Sequence, residues 1–250
     1  MTPLDGLLVA GAGLLAGAVN AVAGGGTLIS FPALLAVGLS PVTANITSSV
    51  GLLSGYLGGS VAYRRELSGQ RGRVRVLLPA AAVGAILGAV LLLLTPDDTF
   101  RALVPYLVLT SCALLAVQPR LAHALTARGS RTRDLPWPTV LGVGIAATYG
   151  SYFGAGLGVL LLAVLGILVA DELQRLNALK GLLSLLINIV GVVVFVAATD
   201  VAWTYVAVLA VSAYVGGTAG VSVARRLPAA VLRTCVVALG TVVGIVLLVT

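Results

Sequence analysis

The side chains able to do chemistry in this chain are mostly neutral and lie inside apolar runs. The first half carries Asn20, Thr27, Ser30, Asn45, Thr47, Ser48 and Ser49; the second carries Ser151, Tyr152, Asn177, Lys180, Ser184 and Asn188. Two glycine clusters accompany them, Gly24-Gly25-Gly26 and Gly154-Ala155-Gly156-Leu157-Gly158. Neutral donors, exposed backbone N–H groups and one lysine suit an anion. N–H groups at the start of a helix favour negative charge, and glycine lets a ligand come close to the backbone. The candidate substrate-binding set is Asn20, Gly24, Gly25, Gly26, Thr27, Asn45, Ser48, Ser49, Tyr152, Gly156, Gly158, Asn177, Lys180 and Asn188. Each has a purely structural alternative. Glycine clusters and serines can serve helix packing. Asn45 and Asn177 can be N-caps at helix starts, and Lys180 can snorkel to the membrane surface.

Other chemistries find little support. The acids are Asp5, Glu66, Asp97, Asp98, Asp134, Asp171, Glu172 and Asp200, all at the ends of apolar runs or between them. Cation sites and proton relays use carboxylates at membrane depth, so a metal-cation carrier is disfavoured and no metal site is expected. His123, the one histidine, stands in a basic stretch with no partner that would complete a catalytic set. Cys112 and Cys235 sit in apolar spans and read as small core residues. No cofactor is expected, and an enzyme acting on membrane lipid or isoprenoid is a distant alternative. A passive anion channel is a nearer one.

The elements that must position these residues are membrane spans. The chain is 59% hydrophobic and 9% charged, against about 25% charged in a soluble domain. Apolar segments run over approximately 4–23, 27–39, 43–63, 76–95, 100–117, 137–155, 159–170, 179–198, 201–223 and 229–249. A helix needs about 20 residues to cross a bilayer, so 27–39 and 159–170 are short, and each follows a glycine cluster. Non-helical backbone at depth survives only when buried in protein or lining a cavity. Each half therefore opens with a helical hairpin whose tip is the glycine cluster. The first apolar run has no basic stretch before it and reads as part of the mature protein.

A shift of 132 residues places Gly24 on Gly156, Gly26 on Gly158, Asn45 on Asn177, Gly84 on Gly216, Gly88 on Gly220, Pro96 on Pro228 and Arg101 on Arg233. Paired halves with interrupted spans point to a transporter. The net charge of +7 comes from arginines in short loops: 64–75, 120–133 and 225–226. The positive-inside rule puts these loops in the cytoplasm, which leaves no nucleic-acid partner to infer. The repeat partner of the basic loop 64–75 is 196–207, which has no basic residue. The bias flips between halves, as an inverted repeat requires, and both termini then lie outside. The fold expected is an all-α polytopic protein of the cell membrane: one domain over 1–250, repeat 1 about 4–117, a cytoplasmic linker 118–136, and repeat 2 about 137–250. Each repeat is a glycine-tipped hairpin plus three transmembrane helices. The partners expected are the lipid bilayer and a small anionic substrate; homo-oligomerisation is compatible with the sequence.

The stretch Gly17-Ala-Val-Asn20-Ala-Val-Ala-Gly-Gly-Gly26-Thr-Leu-Ile-Ser-Phe-Pro32-Ala-Leu-Leu resembles the opening of the TauE/SafE sulfite exporter family. So do Gly38-Leu-Ser-Pro41-Val-Thr-Ala-Asn45-Ile-Thr-Ser-Ser49, Tyr149-Gly-Ser-Tyr-Phe-Gly-Ala-Gly156-Leu-Gly158-Val-Leu-Leu-Leu and Asn177-Ala-Leu-Lys180. Leu157 departs from the polar residue or glycine often found at that place. The resemblance implies an inner-membrane secondary transporter of a small sulfur-containing anion such as sulfite, thiosulfate or an organosulfonate.

Overall fold

The computed structural model describes residues 2–22, 25–62, 66–128, 136–224 and 229–249. Ten helices follow one another with no strand among the described residues: α1 (Pro3–Val22), α2 (Thr27–Ala36), α3 (Pro41–Ala62), α4 (Arg71–Leu94), α5 (Asp97–Arg128), α6 (Pro136–Tyr152), α7 (Leu157–Leu168), α8 (Leu173–Ala198), α9 (Trp203–Ala224) and α10 (Ala229–Val249). The all-α membrane fold read from the sequence is what the chain adopts. Windows in α1, α4, α5 and α8 are long and apolar enough to cross a bilayer. The helices α2 and α7, with 10 and 12 residues, are the short arms of the two hairpins.

Several boundaries differ from the sequence reading. The helix α5 continues through 118–128, a stretch assigned to the linker, carrying Pro119 inside it. Its Ala- and Leu-rich composition sustains the helix after the apolar run ends. The helix α7 begins at Leu157, two residues before the apolar segment taken for it. The two cysteines are free, and only Cys112 is buried; Cys235 is exposed, so the reading of it as a core residue does not hold.

The packing has a two-fold pattern. The helix α1 packs chiefly on α9, and its repeat counterpart α6 chiefly on α4; α3 packs on α9 as α8 packs on α4; α5 meets α10, and α3 meets α8. Glycine makes the closest of these contacts. A Cβ built on Gly84 of α4 would lie 2.3 Å from the Gly144 carbonyl oxygen of α6, and one on its repeat partner Gly216 of α9 would lie 2.0 Å from the Leu14 carbonyl oxygen of α1. Without side chains at these points the backbones touch, as in small-residue crossings of membrane helices. Gly84→Ala should therefore force α4 and α6 apart at a cost of about 1–3 kcal/mol, the range for overpacking. Gly11→Ala, with nothing within 4 Å of the added carbon, is the matched control. Melting temperatures of the two purified variants check this, and equal values would refute it.

Direction along the bundle follows from polar contacts at its ends. The start of α3 meets the start of α5, where Val42 N donates to Asp97 Oδ1 at 3.2 Å. The start of α8 meets the start of α4, where Gln70 Nε2 donates to the Arg175 carbonyl at 3.0 Å. At that end too, Leu125 near the end of α5 packs on Gly166 of α7. The repeat counterparts α3 and α8 thus start at opposite ends of the bundle.

Candidate functional site

The hairpin tips need backbone conformations that a helix cannot supply. Gly25 has φ +105°, and Gly154 and Gly156 have φ +85° and +79°. L side chains rarely adopt these angles. Leaving the helix frees backbone groups, and each must be satisfied inside the protein. At the first tip Asn20 Oδ1 accepts from Gly26 N at 2.8 Å, while the Gly26 carbonyl accepts from Ser30 N at 3.0 Å and Ser30 Oγ at 3.3 Å. At the second tip Asn45 Nδ2, reaching across from α3, donates to the Tyr152 carbonyl at 2.8 Å. The Ala155 carbonyl accepts from Tyr149 OH at 2.8 Å and Ser111 Oγ at 3.0 Å.

The two tips meet. A Cβ on Gly154 would lie 3.9 Å from Thr27 Oγ1. Phe153 stands between Phe31 of α2 and Phe100 of α5, with ring centroids at 5.6 and 6.5 Å. Both tips rest on one stretch of α5: Gly25 against Leu115, Gly156 against Leu114 and Ser111. Behind the first tip Ser30 and Ser48 share a 2.6 Å hydrogen bond and are fully buried. Asn20, Gly25, Gly26, Thr27, Ser48, Asn45 and Tyr152 are thus brought into one neighbourhood formed by both halves. The second tip continues it, since Gly158 lies 3.8 Å from Lys180 Cδ, counted from its added Cβ, and Lys180 Nζ donates to Asn177 Oδ1 at 3.1 Å.

Other expectations separate from this cluster. Asn45 is not an N-cap: α3 begins at Pro41, Ser40 Oγ accepts from Thr43 N at 3.4 Å, and Asn45 lies within the helix, wholly buried. Asn177 likewise lies inside α8, whose N-cap is Glu172. Ser49 Oγ donates at 2.9 Å to the Asn45 carbonyl of its own helix. Asn188 Nδ2 donates to the Ser184 carbonyl at 2.8 Å, about two turns beyond Lys180. Gly24 lies outside the described residues. Ser30, Ser111 and Tyr149 hold the tips from outside that candidate set; isolated hydroxyls within apolar helices are the sequence signal for them, because such groups must find partners in the protein.

The cluster also holds polar capacity that the protein leaves unused. Asn20 Nδ2 and Asn45 Oδ1 are buried without a hydrogen-bond partner, as is Thr47 Oγ1 further along α3. Among the described residues no carboxylate pairs with Lys180; the ion pairs there hold Asp171 with Arg73 and Arg175. No group of three or more His, Cys, Asp or Glu able to hold a metal occurs among them either.

Those ion pairs clamp the two halves at one end of the bundle. Asp171, in the turn between α7 and α8, accepts from Arg73 of α4 and from Arg175 Nε at 3.0 Å. Burial alone would raise the Asp171 carboxyl; hydrogen bonds from Arg175, the Glu172 backbone and Arg73 outweigh it and hold the group below its usual range. A depressed carboxyl stabilises the fold above its unfolded pKa, about 3.9, and that contribution is lost as pH falls through the lower folded value. Asp171→Asn should thus lower the melting temperature at neutral pH, and the gap from the native protein should narrow on acidification towards pH 3. A gap independent of pH would disprove the assignment.

A family model described as "Sulfite exporter TauE/SafE" matches residues 9–247. The "Probable membrane transporter protein YfcA" of Escherichia coli K12 is 27% identical over 83% of this chain and 76% of its own. "Probable membrane transporter protein ORF9" of a Sinorhizobium species is 30% identical over 59% and 55%, and a "Probable membrane transporter protein" of Haemophilus influenzae is 23% identical over 90% and 87%. No solved structure matches significantly.

Proposed function

The chain belongs to the sulfite exporter TauE/SafE family of membrane transporters, and on that premise we propose a secondary transporter that moves a small sulfur-containing anion across the cell membrane by alternating access. The observation that carries the anion is Lys180. Its stem lies against Gly158 at the start of α7, its ammonium donates to the neutral Asn177, and no carboxylate pairs with it among the described residues. A half-buried ammonium is partly removed from water and attracts a counter-charge more strongly than an exposed one. Sulfite, thiosulfate and organosulfonates present the oxygen acceptors that Asn20 Nδ2, Lys180 and the tip N–H groups would meet. The name of the matching family supports sulfur.

Alternating access here is a rocking of two inverted repeats about the paired tips. The opposed starts of α3 and α8 and the exchange-symmetric packing support that reading. In a multi-pass topology with basic loops inside, the Asp171 clamp closes the cytoplasmic end. Cysteines introduced at Gly69 and Asp98 should then be labelled by a membrane-impermeant maleimide from opposite sides of the membrane. Labelling from one side would exclude the topology.

The functional test is counterflow in proteoliposomes. Unlabelled thiosulfate inside should accelerate entry of labelled sulfite, whereas sulfate and chloride should not. Entry indifferent to the trans anion would identify a channel instead. Full transport of sulfate or chloride would remove the sulfur assignment.

A further inference from the structure

We propose that a groove at the head of α4 binds the phosphate of an anionic phospholipid, a site independent of the transport reading above. The groove, of about 790 Å³, lies between the turn before α4, the first turns of α4 and the side of α8. Arg71, Arg75 and Ser68 supply its polar side, and Leu67, Val74 and Leu182 its apolar side. Arg71 and Arg75 are one helical turn apart on one face, both exposed, and neither pairs with a carboxylate among the described residues. Of the acids nearby, Asp171 is held by Arg73 and Arg175, and Glu66 Oε2 is buried without a hydrogen-bond partner, so neither pairs with Arg71 or Arg75.

The charge arrangement calls for an anion. Arg71, Arg73 and Arg75 crowd the first turns of a 24-residue helix with no acidic residue in its first turn. That end of a helix carries partial positive charge, so three guanidiniums there repel it and one another. Asp171 relieves Arg73 alone. A phosphodiester between Arg71 and Arg75 would relieve the other two through charge-assisted hydrogen bonds. The apolar side selects the source: Leu67, Val74 and Leu182 offer nothing to free phosphate but match the glycerol and upper acyl carbons of a lipid. Basic pockets beside membrane helices take anionic headgroups in this way.

The experiment measures the melting temperature of the purified full chain in neutral detergent with added lipid. Dioleoyl phosphatidylglycerol should raise it by about 3–6 °C over dioleoyl phosphatidylcholine, the shift for a ligand at about ten times its Kd on a protein of this size. The Arg71→Gln, Arg75→Gln double variant should lose that difference while melting at or above the native temperature in phosphatidylcholine, because the repulsion at the head of α4 is gone. Ser68→Asp, which sets a carboxylate in the groove and leaves both arginines in place, should lose it too and serves if the double variant does not fold. Arg101→Gln, at the other end of the bundle, should keep it. No preference for phosphatidylglycerol in the native protein, or its survival in Ser68→Asp, overturns the proposal. So does an equal shift from sodium phosphate or glycerol 3-phosphate, which would make this a free-anion site, or an equal loss in Arg101→Gln.

Discussion

Gly25→Leu protein should insert, fold and carry anion at least about tenfold more slowly than the native protein. Gly25 holds φ +105° at the first tip, a conformation that costs a β-carbon-bearing residue about 1–3 kcal/mol. Leucine also prefers helix to the break the tip needs, by nearly 1 kcal/mol over glycine. Both effects push 25–26 towards helix and pull the Gly26 N–H off Asn20 Oδ1, where it now sits at 2.8 Å. The side chain would start 3.4 Å from Leu115, so it must displace α5 or turn into the space between the tips. Backbone strain by itself is separable from this. Gly38 has φ +88° at the far end of α2, with nothing within 4 Å of an added Cβ. Gly38→Leu carries comparable strain away from the tips and should transport at a rate within about threefold of native. Uptake of labelled sulfite, normalised to inserted protein, decides the matter. Equal losses in both variants would mean that the tip matters only as backbone.

The legible parts of this architecture were those that glycine and charge must mark. Glycine clusters, three in a row at 24–26 and three in five residues at 154–158, disfavour a continuous helix, and so both hairpins were apparent. Gly84 and Gly216 coincide under the 132-residue shift, yet their task, backbone contact between α4 and α6 and between α9 and α1, could not be read, because the partner atoms are carbonyls. The same limit hid the contact between Asn45 and the Tyr152 carbonyl, 107 residues apart. An asparagine that holds backbone looks in sequence like one that caps a helix. The capping alternative at Asn45 could have been set aside from the sequence: Ser40-Pro41 is a cap followed by a proline at the first helical position. The Arg73–Asp171 clamp was not, since any of several loop arginines could have met that acid.

Lys180→Ala should lower anion uptake by at least about tenfold, the effect of one 1.4 kcal/mol interaction, while Arg120→Ala, at an exposed position on α5, should change it little. The repeat makes this test sharper. Lys180 corresponds to Ser48, which is fully buried and bonded to Ser30 at 2.6 Å. One half therefore offers a hydroxyl where the other offers a charge, and the anion should lean towards the second hairpin. Lys180→Ser makes the halves alike, removing the charge but retaining a polar group. If charge attracts the substrate, this variant fails as Lys180→Ala does, and Lys180→Arg recovers only part of the rate because a planar guanidinium must fit beside Gly158. If Lys180 is instead an interfacial anchor, its role is packing and hydration of a long stem, and all three variants keep native uptake while differing in melting temperature. The salt dependence of uptake separates the readings further. An attraction acting through water weakens as ionic strength rises, whereas one inside a closed site is screened far less. The half-buried position of Lys180 places it with the second kind, so the ratio between native and Lys180→Ala uptake should persist when an inert salt raises the ionic strength.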